Sequence, residues 1–100
     1  MASIEKEFED RGVVRGGELM LRPCDAMVFV AKCRERGVEV LGVDGFRLTE
    51  HTIQPVMEQS VDLSQPQKAE NLKNCWDRAE DFLRPRASSD LFFKVVIDEQ

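Results

Sequence analysis

The chain's strongest constraint is a helical pattern that stops at a glycine and passes at once into a β-prone run. Over residues 23–36, Ala26, Phe29, Val30 and Cys33 recur at helical spacing, with Met27 beside them. Pro23 opens the pattern, where its missing N–H would have had no helical partner anyway. Asp25 lies near the positive end of the helix dipole, and Lys32, Arg34 and Arg36 lie near the negative end. Gly37 supplies a left-handed stop that a Cβ would penalise. Residues 38–46, VEVLGVDGF, follow directly. Val38, Val40, Leu41 and Val43 read as a strand, and Asp44-Gly45 as a two-residue type I′ turn. Residues 46–49 then pair back, and Glu50-His51 turns tightly into residues 52–57. The expectation is a three-stranded meander, with Pro55 placing its last strand at an edge or ending it early.

The flanks are read from the same periodicities. Residues 58–65 are a polar loop. Ser64, Pro66 and Gln67 resemble a capping box and predict a second helix reaching about Leu83. Its apolar stripe is Ala69, Leu72, Cys75, Trp76, Ala79, Phe82 and Leu83, and its other face is charged. Pro85 ends it. Residues 91–97, LFFKVVI, form the last strand, with Leu91, Phe93, Val95 and Ile97 on one face and Phe92, Lys94 and Val96 on the other.

Residues 1–20 read as an N-terminal arm or short helix, with Ile4 and Phe8 docking on the body. A short strand at residues 18–22 or around Val13-Val14 is the alternative there, and Gly16-Gly17 punctuates the segment. Residues 21–100 form a single domain. The expected fold is α+β: a small antiparallel or mixed sheet of about four strands with two main helices on one face. Its order is arm-α-β-β-β-α-β.

One hundred residues suit one domain with one modest core. Cys24, Cys33 and Cys75 are odd in number and scattered, which suits a reducing compartment. The first residues, MASIEKEFEDRG, carry no apolar leader, and no apolar run is long enough to cross a bilayer. A cytoplasmic protein is expected.

No constellation for catalysis stands out. His51 is the sole histidine, with Glu50 beside it, but adjacent strand residues point to opposite faces. It reads as a solvated turn residue. The cysteines lack zinc spacing, and Gly12, Gly16 and Gly17 form no phosphate loop. No cofactor and no metal is expected, and the chain is not expected to be an enzyme.

Charge is more informative. Between Gly37 and Gln65 stand Glu39, Asp44, Glu50, Glu58 and Asp62 against Arg47. This local −4 accounts for most of the chain's −5. Such a surface repels nucleic acid and anionic membrane, and it complements a basic protein. A solvated sheet face is the alternative reading.

The Pro-started helix, its Gly37 stop and the VLGVDG run that begins three residues on resemble the immunity protein family of the anticodon-cleaving colicin, colicin E five. Glu70-Asn71 in the second helix and the closing apolar strand extend the resemblance over residues 21–98. Family members carry aromatic residues after the DG turn; here Phe46 follows, with no Trp or Tyr between Gly45 and Ser64. The resemblance implies a non-enzymatic antitoxin that plugs a basic tRNA-cleaving cleft, partly as an acidic mimic of RNA. The implied partner surface is Asp44, Phe46, Arg47, Glu50, Gln54, Glu58 and Asp62. The alternative is a general interaction module, monomeric or homodimeric, pairing through Phe92, Lys94 and Val96.

Overall fold

The computed structural model describes residues 4–63 and 74–98. It is an α+β fold. A single helical turn α1 (Ile4–Glu7) leads through a 3₁₀ turn to a hairpin of β1 (Val13–Arg15) and β2 (Glu18–Met20). Helix α2 (Pro23–Arg36) follows, then strands β3 (Glu39–Leu48) and β4 (Ile53–Asp62). Helix α3 (Cys75–Leu83), a second 3₁₀ turn and strand β5 (Phe92–Asp98) complete the chain. The main sheet is antiparallel, in the order β4-β3-β5.

Helix α2 has the bounds its sequence implies. Pro23 occupies its first turn. Gly37 adopts φ 69°, its N–H donates to the Arg34 carbonyl, and the Val38 N–H donates to the Cys33 carbonyl. These two bonds form a Schellman stop. Ala26, Phe29, Val30 and Cys33 are buried in the core.

Asp44-Gly45 is not a turn. β3 runs straight through it, and Asp44 is paired on both sides, with Ser60 and with Lys94. Among the described glycines only Gly16, Gly17 and Gly37 have positive φ. The chain reverses instead at Glu50-His51, where the Thr49 N–H donates to the Thr52 carbonyl and the Thr52 N–H to Thr49 Oγ1. The expected three-strand meander is therefore one hairpin of two ten-residue strands. Gly45 is required for a different reason. A Cβ there would lie 2.7 Å from the Gln59 carbonyl oxygen and 3.2 Å from the Phe93 ring. Gly45 pairs with Val56 and Asp44 with Ser60, so Met57, Glu58 and Gln59 bulge out of the ladder.

The second helix also starts elsewhere. Asn74 is extended (φ −79°, ψ 176°), and its side-chain oxygen accepts the Asp77 N–H, capping α3. A short amide side chain competes well for a helix's first free N–H groups, so α3 begins at this cap. The Ser64–Gln67 start, Ala69, Leu72 and Glu70-Asn71 lie outside the described residues. The rest of the stripe packs as expected. Ala79 and Leu83 are buried, Phe82 meets Phe93 edge-on at 6.0 Å, and Trp76 Nε1 donates to the Val38 carbonyl at 2.8 Å.

The N-terminal segment joins this core. Ile4 and Phe8 are buried, and Phe8 packs edge-on against Phe29 at 5.1 Å. Both short strands considered there form, joined by Gly16-Gly17 at φ 60° and 79°, the geometry of a type I′ turn. Leu21 then exchanges two backbone hydrogen bonds with Phe93. This bridge covers the outer edge of β5 at Phe93 alone, whereas the outer edge of β4 has no strand partner among the described residues. Arg22 stacks over the Phe92 ring at 4.5 Å. Phe92, Lys94 and Val96 are half-buried, so they do not offer the exposed pairing face expected of the last strand.

Arg36 grips Glu7 with two bonds of 2.5 and 2.9 Å. That hydrogen-bonded guanidinium holds the Glu7 carboxyl below its ordinary value, against a smaller opposing effect of burial. A depressed carboxylate stabilises the fold above its unfolded pKa and loses that contribution as pH falls through its folded value. Arg36→Ala is expected to raise the Glu7 pKa, read by NMR titration. Phe29→Ala is expected to cost about 3–5 kcal/mol in denaturant unfolding. Gly45→Asn separates bulge from turn: a type I′ turn tolerates Asn, whereas overpacking here costs about 1–3 kcal/mol.

Candidate protein-binding surface

The hairpin of β3 and β4 carries all seven residues expected to meet a partner, and the pleat divides them. Val43 pairs with Val61 and Val95 on the helix-covered face, so Asp44, Phe46 and Asp62 fall on the opposite face. Asp44 is half-buried between Ser60 and Lys94, and Phe46 is half-buried between Pro55 and Phe92. Asp62 is exposed opposite Gly42. Arg47 and Gln54 are cross-strand partners, and both line a groove with Pro55, Val56, Met57 and Glu58. Glu50 stands apart at the hairpin tip, its carboxylate 4.0 Å from His51 Nε2, both side chains almost fully in water. The structure therefore brings Arg47, Gln54 and Glu58 together, groups Asp44, Phe46 and Asp62 on the other face, and isolates Glu50.

The bulge is what sequence reasoning missed. Met57 is 80% exposed, the most exposed large apolar side chain described. Glu58 is exposed next to it. Gln59 instead turns inward over Gly45, and its side-chain oxygen accepts from Arg86 Nε at 2.6 Å. Arg86 also donates to the Phe82 carbonyl at 2.6 Å and lies over the Phe82 ring at 3.9 Å. A second groove opens where Arg47, Val56 and Glu58 face Ser89, Asp90 and Leu91. The available signal was Gly45, a small residue inside a strand pattern, which also marks a bulge or a close backbone approach.

Charge is arranged unequally over the molecule. On the helix side Arg34 pairs with Asp77 and Glu80, and Arg84 pairs with Glu80 and Asp81. On the hairpin, Glu39, Asp44 and Glu58 make no ion pair among the described residues. The helix side is internally compensated, whereas the hairpin leaves Glu39 and Glu58 exposed without an ion pair among the described residues and holds Asp44 half-buried opposite Lys94. Arg15 pins the hairpin tip by donating to the Thr49 carbonyl at 2.5 Å.

Among the described residues no group of three His, Cys, Asp or Glu could hold a metal, and no helix is long and apolar enough to cross a membrane. Cys24 is exposed, Cys33 buried and Cys75 half-buried, its sulfur 3.4 Å from the Val40 N–H.

Since Glu39 and Glu58 hold no ion pair among these residues, their removal leaves folding nearly untouched. Glu39→Gln and Glu58→Gln are each expected to change unfolding free energy by less than about 0.5 kcal/mol, measured in urea. Comparison with known proteins adds no family: no protein-family model matches the chain, and no curated protein matches it.

Proposed function

We propose that this chain is a non-enzymatic, antitoxin-like protein that binds a basic toxin nuclease domain and blocks its cleft. The observation that carries this reading is the charge asymmetry. Most of the net negative charge sits on one hairpin, with three of its carboxylates outside any ion pair among the described residues, while the helix side is neutralised by salt bridges. A nuclease cleft must be basic to hold phosphates, so such a hairpin is steered to it and excludes nucleic acid. The resemblance to the colicin immunity family points the same way. The form of the β4 edge argues for a partner of another kind over a second copy. Pro55 lacks a ladder donor, and the three-residue bulge interrupts the strand, both of which hinder edge-to-edge pairing.

Within the hairpin, Arg47, Gln54 and Glu58 form one contact group with Met57 at its centre. Asp44, Phe46 and Asp62 form a second group on the far face, and Glu50 contributes at the tip. Anchors at the centre set affinity, and the peripheral carboxylates mainly set the association rate.

The test is co-expression with a panel of basic nuclease toxin domains, including the anticodon-cleaving colicin domain and any encoded beside this gene. Survival and intact tRNA are the readouts. Protection against at least one domain is expected, and Asp44→Lys with Glu58→Lys should weaken that complex at least about 100-fold, on the order of 3 kcal/mol. The reading fails if no domain is inhibited, or if the charge-reversed variant protects equally well.

A further inference from the structure

The bulge on β4 breaks the ladder on the exposed edge, yet its base is held by several contacts. Bulges of this kind re-aim side chains and end strand pairing. Here Gly45, lacking a Cβ, admits the Gln59 backbone over the Phe93 ring. Phe93 is buried and meets Phe82 edge-on. Phe82 carries the Arg86 guanidinium on its face, and Arg86 returns to the Gln59 side chain. The contacts close a ring through Gly45, Phe93, Phe82, Arg86 and Gln59. With Gln59 fixed inward, Met57 and Glu58 are left outward, an apolar tip beside a carboxylate.

We propose that Met57 and Glu58 are a preformed docking tip for a basic protein surface with an apolar depression, and that Arg86 is the positioning residue that holds this tip in shape. The inference rests on the reading of the hairpin as an inhibitor surface and names the element that anchors it. The partner's chemistry follows from charge and shape. Met57 supplies adaptable apolar area, and Glu58 supplies a carboxylate with no ion pair among the described residues. The surrounding hairpin is net negative. Arg47, lining the same groove, is the one cation on the hairpin and would meet a carbonyl or carboxylate of the partner. A tip already ordered before binding loses less entropy on docking than a loose loop. Arg86 does not touch the partner; its planar fork stacks and hydrogen-bonds at once, which a lysine cannot reproduce.

Two measurements on the full chain test this. The first is backbone ¹⁵N relaxation of the free protein. Met57, Glu58 and Gln59 should be as ordered as the flanking strand in the parent chain and become mobile in Arg86→Ala and Arg86→Lys, while Val43 and Val95 stay rigid. Gln59→Ala gives the same readout if the arginine variants fail to fold. Unchanged order in the folded variants, or a bulge already mobile in the parent chain, overturns the positioning role. The second is an NMR titration with a ten-residue peptide of alternating lysine and leucine. Shifts should centre on Arg47, Met57 and Glu58, Met57→Ala should weaken binding about tenfold, and acetylating the lysines should abolish it. Shifts spread over the helix side, equal binding by Met57→Ala, or concentration-dependent self-association through β4 overturns the docking tip. If nuclease protection persists while this second arm fails, the acidic-hairpin reading stands and the tip does not.

Discussion

The fold depends on what surrounds Phe93. This side chain is fully buried near the start of β5, beside the central strand. Its backbone exchanges two hydrogen bonds with Leu21, which fastens the N-terminal segment to the sheet. Its ring takes Phe82 of α3 edge-on and lies beneath Gly45 of β3. One aromatic residue therefore connects the N-terminal hairpin, the second helix and the central strand. Burial of such a ring removes a large apolar area from water, at roughly 25 cal/mol per Å². The absence of a Cβ at Gly45 is the other half of the same contact, because it creates the space into which the β4 bulge folds.

This packing gives the two faces of the molecule different electrostatic roles. The helix side gathers Arg34, Arg84, Asp77, Glu80 and Asp81 into pairs across and along helices. Exposed pairs of this kind contribute little stability, but they leave that side electrically quiet. The hairpin lacks such compensation at Glu39, Asp44 and Glu58, and its edge is twice interrupted, by Pro55 and by the bulge. Free strand edges invite unwanted pairing, and these interruptions limit it. What remains available is side-chain chemistry: carboxylates, one guanidinium and an exposed methionine.

Local rules were sufficient where local structure decides. The bounds of α2 follow from Pro23, the apolar spacing and Gly37, because a helix stop is a short-range event. The buried faces of α2 and of residues 75–83 follow from periodicity for the same reason. The course of β3 does not. Asp44-Gly45 has the composition of a tight turn, yet β3 is paired on both sides there, so a tertiary contact overrides the local preference. Gly16-Gly17, read only as punctuation, is the type I′ turn that Asp44-Gly45 was expected to be. At Asn74 the extended backbone and side-chain cap begin a helix that the apolar stripe alone extends further back. The candidate residues lie on one hairpin, although residues 58–62 read as polar loop and are strand, and their division between two faces depends on the bulge register. No pattern within β4 announces that register, since it is set by Gly45 and Arg86 from other strands and turns.

The most direct test of the account is the NMR footprint of an inhibited nuclease domain on the ¹⁵N-labelled chain. The account predicts a footprint centred on Arg47, Met57 and Glu58 and extending along the β3–β4 hairpin, with α2 and α3 unperturbed. A footprint centred on the α2–α3 side, leaving the hairpin unchanged, would contradict it.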